Sequence, residues 1–107
     1  MKIIVYGASG RMGQNMLKLV GDNDAHTLAA AVSPELVTEP DKHTYHDLSD
    51  FTGPADMIVD FSHHTAVGVL LDYAQSRCLP VVIGTTGHTA EEKARIAQAA
   101  REIPVFH

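Results

Sequence analysis

Tryptophan is absent from this sequence, cysteine occurs once, and basic residues never cluster. The lone thiol, Cys78, cannot build an internal disulfide framework, which excludes the small disulfide-stapled secreted class and implies a reducing, cytoplasmic setting. With no Lys/Arg run and a net charge of -5 with His neutral, neither nucleic acid nor an anionic membrane surface is expected as the main partner. No apolar stretch approaches the roughly 20 residues of a membrane span. "MKIIVYGASG" meets its first glycine too soon for a secretory leader. What is left is a soluble chain of 107 residues, 45% hydrophobic, long enough for one modest core.

The apolar residues are arranged in short blocks. "IIVY" (3–6) is a β-branched and aromatic run stopping at Gly7, the pattern of a strand buried on both faces. From Arg11 to Val20, Met12, Met16, Leu19 and Val20 fall at helical spacing, and "GDND" ends that helix. "HTLAAAV" (26–32) predicts a second strand, which Pro34 stops near Ser33. Residues 33–54 are polar and punctuated by prolines, with room for a short strand around Thr44 and Tyr45 and a helical turn near Leu48. "ADMIVDFS" (55–62) repeats the buried-strand pattern, and Ala66, Val69, Leu70, Tyr73 and Ala74 place a helix after it. "VVIG" predicts a strand ending at Gly84, and Thr89 with Glu92 forms a capping box for a helix from Ala90 to Glu102. That helix is expected to carry a Glu91–Arg95 pair and to lay Ala90, Ala94, Ala97 and Ala100 on the sheet. "IPVFH" then starts another apolar run, which would leave an isolated edge.

Strands alternating with helices call for right-handed crossovers. The expected class is α/β: a Rossmann-like, doubly wound, mostly parallel sheet with helices on both faces. Ligands of such sheets gather at the carboxyl ends of the strands, where Gly7, Ser33, Ser62 and Gly84 would meet.

Within "VYGASGRMGQNMLKLV", Gly7, Gly10 and Gly13 stand three apart, giving G-x-x-G-x-x-G, one residue off the G-x-G-x-x-G dinucleotide fingerprint. The context is the one the fingerprint demands: a strand before, a helix after, and a second strand to follow. One glycine permits a sharp turn, one lets backbone approach a ligand, and one brings helix onto strand. The free N–H groups and positive dipole end of the helix suit a pyrophosphate. At the end of the second strand, where an acid meets the adenosine ribose, stand Ser33 and Pro34, with Glu35 two residues late. A carboxylate would repel a 2'-phosphate, whereas Ser33 serves either form and Arg11 can reach a phosphate, so NADH and NADPH both remain open.

"GASGRMG", "VDFSHHTA" and "PVVIGTTGHTAEE" together resemble the amino-terminal nucleotide-binding domain of the dihydrodipicolinate reductase family over residues 1–107. The resemblance implies that Gly7, Ala8, Ser9, Gly10, Arg11 and Met12 wrap the pyrophosphate. It puts Ser33 at the ribose position, usually acidic in the family. Phe61 and Ser62 would line the cofactor, and Gly84, Thr85 and Thr86 would hold the nicotinamide. It further implies an NADH- or NADPH-dependent reduction of a cyclic unsaturated dicarboxylate in lysine and diaminopimelate biosynthesis. The family's substrate-binding and tetramer-forming domain does not follow in this sequence, so 1–107 is expected to bind dinucleotide, as a monomer, without turning over. His64 stands where relatives often carry Pro, and His88 where they often carry an aromatic residue. The other readings are a free-standing nucleotide-sensing module and the cofactor part of a semialdehyde or homoserine dehydrogenase, against which "GTTG" argues.

Seven histidines include an H-x-x-H pair at His43 and His46, but no cysteines accompany them and hydride transfer needs no metal. They are expected to be solvated, with only His63 near the rim, and no metal ligand or catalytic residue is assigned. Cys78 lacks a neighbouring base and is expected to be structural. Asp60, ending a strand without a second acid or base nearby, is expected to be a hydrogen-bonded structural carboxylate.

Overall fold

The computed structural model, which describes Met1–His107, places the first apolar block as β1 (Lys2–Tyr6) in the middle of the sheet. Its side chains alternate between two hydrophobic layers, as the two-residue period of a strand requires. Ile3 and Val5 join Val20, Ala31 and Val59 on one face. Ile4 and Tyr6 join Leu70, Leu71, Ala74, Ile96 and Ala99 on the other. The run is continuous in sequence because both faces are covered.

The remaining elements are α1 (Arg11–Gly21), β2 (Thr27–Val32), β3 (Thr44–Tyr45), β4 (Met57–Asp60), α2 (Val67–Arg77), β5 (Val81–Ile83), α3 (Ala90–Ala99) and β6 (Val105–Phe106). Short 3-10 turns occur at Pro40–Lys42, Leu48–Asp50 and His64–Ala66. The strand order is β3-β2-β1-β4-β5-β6, and every pairing is parallel. This is the Rossmann order, with the direction of winding reversing between β1 and β4. The terminal apolar run is no isolated edge: Val105 and Phe106 pair with Val81 and Val82. No helix is long and apolar enough to cross a membrane.

The face under α2 and α3 holds 19 clustered buried residues and the face under α1 only six, so the sheet rests mainly on the two-helix side. The proline-punctuated segment belongs to that larger core. Tyr45 meets Phe51 edge-on at 5.2 Å between ring centroids. The Tyr73 hydroxyl donates to the Phe51 carbonyl at 2.7 Å, and the Arg77 guanidinium lies 5.7 Å above the Phe51 ring. These contacts tie residues 48–53 to α2.

Helix α3 differs from the sequence expectation in two respects. Its buried residues are Ile96 and Ala99, with Ile103 just beyond, while Ala90, Ala94, Ala97 and Ala100 face solvent. Each isoleucine removes more apolar surface from water than an alanine, so the helix turns its Ile side inward. Arg95 bonds Asp72 of α2 at 2.7 Å rather than Glu91. The capping box at the other end is present: Thr89 Oγ1 accepts from the Glu92 N–H at 3.2 Å, and Glu92 Oε1 accepts from the Thr89 N–H at 2.7 Å. Thr89→Ala is therefore expected to lower unfolding free energy by about 1 kcal/mol, read from urea denaturation; an unchanged midpoint would contradict the cap's contribution.

Candidate functional site

The rim at the carboxyl ends of β1, β2, β4 and β5 collects the residues singled out by the sequence. At its centre β1 ends and the chain reverses, with Gly7 and Ala8 donating to the Val32 carbonyl at 2.8 and 3.2 Å. The three glycines here do different things. Gly7 has φ +80°, and a Cβ on it would lie 2.5 Å from the Phe61 carbonyl carbon and the Ser62 nitrogen. A Cβ on Gly13 would run into the Gly7 carbonyl oxygen and lie 2.7 Å from Ala8 Cα. Gly10 is open: the nearest atom to its Cβ position is the Gly7 oxygen at 3.7 Å. Gly7 and Gly13 let protein meet protein, whereas at Gly10 the vacant space faces outward.

Gly10 is also the N-cap of α1, and no side chain caps that helix. Its first turn, holding Arg11 and Met12, carries no acidic residue. The helix thus presents unsatisfied N–H groups and the positive end of its dipole to whatever occupies the rim. Gln14, which the sequence reading did not single out, braces the turn by donating to the Ala8 carbonyl at 2.8 Å.

At the end of β2, Ser33 is buried, and its hydroxyl oxygen lies 2.6 Å from that of Ser9. Glu35 joins them. The chain turns back after Ser33, with the Leu36 N–H on the Ser33 carbonyl at 3.0 Å. This brings Glu35 Oε2 to both hydroxyls, Ser33 Oγ and Ser9 Oγ, the latter at 2.7 Å. Hydrogen bonds from Ser33 and then Ser9 hold the Glu35 carboxyl below its ordinary range. A carboxylate thus stands beside Ser33 although position 33 itself is not acidic. The signal was in the sequence, since Ser-Pro-Glu-Leu is turn-forming, but its direction was not.

On the other side of β1, the Phe61 N–H bonds the Tyr6 carbonyl and the Gly84 N–H bonds the Asp60 carbonyl, both at 2.8 Å. Gly84 has no side chain because the Phe61 ring occupies the space. Asp60 is buried and accepts from the Ser62 N–H at 2.9 Å, from the Ser62 hydroxyl, and from Thr85 Oγ1 at 3.3 Å. With these donors it acts as a structural carboxylate joining the two loops. Met12, Phe61, Ser62, His63, His64, Gly84, Thr85 and Thr86 enclose an open hollow of about 290 Å³. Two other hollows, of about 300 and 360 Å³, lie away from this rim; the first is lined by Lys2 and Thr27 from the opposite strand ends.

The histidines depart from expectation. His88 is buried, with Nε2 3.3 Å from Thr85 Oγ1, and His64 Nδ1 bonds Glu92 Oε1 at 2.7 Å. The approach of the loop 84–89 to the turn 63–66 brings together side chains far apart in sequence. Cys78 is exposed at the C-cap of α2 with φ 54°, a position that favours glycine.

All twelve rim residues expected to hold a dinucleotide, Gly7 to Met12, Ser33, Phe61, Ser62 and Gly84 to Thr86, lie along this edge of the sheet. Among known proteins, a 4-hydroxy-tetrahydrodipicolinate reductase of Caldanaerobacter subterraneus subsp. tengcongensis is 38% identical over 106 residues, covering 98% of this chain and 41% of the relative. One of Alkaliphilus metalliredigens is 39% identical over 107 residues, covering 99% and 40%. The chain thus spans about two-fifths of the length of these relatives. A solved dihydrodipicolinate reductase from Paenisporosarcina sp. TG-14, with dipicolinate bound, superposes with a TM-score of 0.76 at 21% identity over 94% of this chain and 43% of that one. An Agrobacterium radiobacter oxidoreductase in complex with NAD+, L-tartaric acid and magnesium gives 0.79 at 14% identity, covering 98% and 34%. These two show a shared fold. The sequence model described as dihydrodipicolinate reductase, N-terminus, matches residues 1–107 throughout, and the chain belongs to the dihydrodipicolinate reductase family.

Proposed function

We propose that residues 1–107 form the NAD(P)H-binding domain of a 4-hydroxy-tetrahydrodipicolinate reductase in lysine and diaminopimelate biosynthesis. The observation that carries this reading is the uncapped α1 N-terminus, opened outward at Gly10, at the point where the sheet reverses its winding. Gly7 to Met12 would receive the pyrophosphate through backbone N–H groups. Ser33, Ser9 and Glu35 would take the adenosine ribose, Glu35 accepting from its hydroxyls and disfavouring a 2'-phosphate. NADH is accordingly the proposed cofactor. Phe61, Ser62 and the Gly84–Thr86 loop would flank the nicotinamide, and Met12 closes the hollow from α1.

When bound, the dinucleotide supplies the hydride. The residues present here would orient it: Ser62, Thr85 and Thr86 line the hollow that would take the carboxamide, and the Phe61 ring fills the space beside Gly84. No group in this chain is assigned proton transfer to the substrate. The dicarboxylate is proposed to be held by a further domain of the longer protein, which would also build a homotetramer in the cytoplasm. Titration of the chain with NADH, followed by nicotinamide fluorescence, is expected to give saturable one-to-one binding. Absence of saturation by either NADH or NADPH would refute the proposal.

A further inference from the structure

The hollow at the Phe61 end of the rim is bounded by two loops, residues 61–66 leaving β4 and residues 84–89 leaving β5. Three ties join them. At the base the Gly84 N–H meets the Asp60 carbonyl at 2.8 Å, and halfway up Thr85 Oγ1 reaches Asp60 Oδ2 at 3.3 Å. The third tie, at the outer end, is His64 Nδ1 to Glu92 Oε1 at 2.7 Å. The same Glu92 oxygen accepts the Thr89 N–H, also at 2.7 Å, so one atom closes the α3 cap and receives the histidine. The Thr89 backbone bond, and after it the His64 bond, hold the Glu92 carboxyl below its ordinary range.

This pair is not a loose surface bridge. The His64 and Glu92 side chains are 26% and 18% exposed, a setting in which a charge-assisted bond loses little to solvent. Gly87, at φ +83°, leaves its Cβ position 3.9 Å from His64 Cδ2, so the loop passes over the imidazole edge. The His63 ring lies 4.4 Å from that of His64, and the His88 ring 6.2 Å away. His64 is thereby held between its own turn, the 84–89 loop and α3.

We infer that His64 is a positioning residue for the nicotinamide end of the site, acting through Glu92 and Thr89 to set the spacing between the two loops that flank it. The inference rests on the dinucleotide reading above. It explains why a ring nitrogen stands at position 64 and a capping glutamate 28 residues later: neither element alone needs the other.

The test separates the two ends of the ligand. ADP-ribose contains the adenosine and pyrophosphate but lacks nicotinamide, so a loop-spacing role predicts that it is indifferent to His64. His64→Ala is expected to weaken NADH binding roughly tenfold, the loss of one charge-assisted hydrogen bond, with ADP-ribose affinity unchanged. His64→Asn, whose amide retains a donor near the position of Nδ1, is expected to restore NADH affinity to within about twofold. Equal weakening of both ligands, unchanged NADH affinity in His64→Ala, or no recovery in His64→Asn would each overturn the inference. Failure of the unaltered chain to bind ADP-ribose would instead bring down the site reading itself, and the inference with it.

Discussion

Gly10→Val is expected to abolish dinucleotide binding while the chain stays folded, and Gly13→Ala is expected to unfold it. The contrast follows from where the missing side chains would go. At Gly10 the backbone is extended, φ -76° and ψ 173°, a conformation valine adopts without strain, and the nearest protein atom is 3.7 Å from the Cβ position. The folding cost is the poorer N-cap, about 1 kcal/mol. The branched side chain would stand over the α1 N–H groups and deny them to a phosphate. At Gly13 a single methyl meets the Gly7 carbonyl and the Ala8 backbone, neither of which can move without undoing β1 or the turn. A loss beyond about 4 kcal/mol is expected there, in the range where one substitution points to a defined steric cause. Thermal unfolding and NADH titration of both variants check this, and a Gly10→Val chain that binds NADH as before would refute the assignment of the turn.

Glu35→Ala is expected to erase discrimination between NADH and NADPH. The unaltered chain should favour NADH, because an ionised Glu35 would accept from ribose hydroxyls and repel a 2'-phosphate. The charge-assisted bonds involved correspond to a roughly 10- to 100-fold affinity difference. The carboxyl is lowered by Ser33 and Ser9, so it remains ionised below the ordinary carboxylate range. The sign follows: a depressed folded-state pKa stabilises the chain above the unfolded value of about 4.5, and that contribution disappears as pH falls through the lower folded value. Glu35 should therefore stay ionised from neutral pH down past 4.5. Any change of selectivity in that interval follows the 2'-phosphate, which takes up a proton at about pH 6, and the share of Glu35 fades only in stronger acid. Competition titrations against ADP-ribose at several pH values measure it. Preference for NADPH in the unaltered chain, or an unchanged ratio in Glu35→Ala, would contradict the role given to Glu35.

The parts legible in the sequence are those governed by neighbours along the chain. The buried runs at 3–6 and 57–60, the helical spacing from Met12 to Val20, and the Thr89–Glu92 box all act over a few residues, and each appears in the fold. Even the short strand at Thr44–Tyr45 and the turn at Leu48–Asp50 are where prolines and apolar pairs suggested. What escaped depends on partners distant in sequence. The Ala side of α3 is as periodic as its Ile side, so spacing alone does not say which turns inward; the larger apolar surface of Ile96 and Ile103 does. Arg95 has a candidate partner one turn away yet bonds Asp72, 23 residues earlier, because α2 lies alongside. His64 with Glu92, and Glu35 with Ser9, are likewise joined by tertiary approach, to which periodicity is blind.

The contact between Gly7 and the Phe61–Ser62 backbone bears on how this rim could be re-engineered. Since the glycine turn presses directly on the exit of β4, the two loops are not interchangeable cassettes. A graft must keep glycine at position 7, because any Cβ there would collide with the backbone at Phe61 and Ser62. A single crossover within residues 33–54 takes Gly7 and Phe61 from different parents, and it should therefore be tolerated only when both parents carry glycine at position 7.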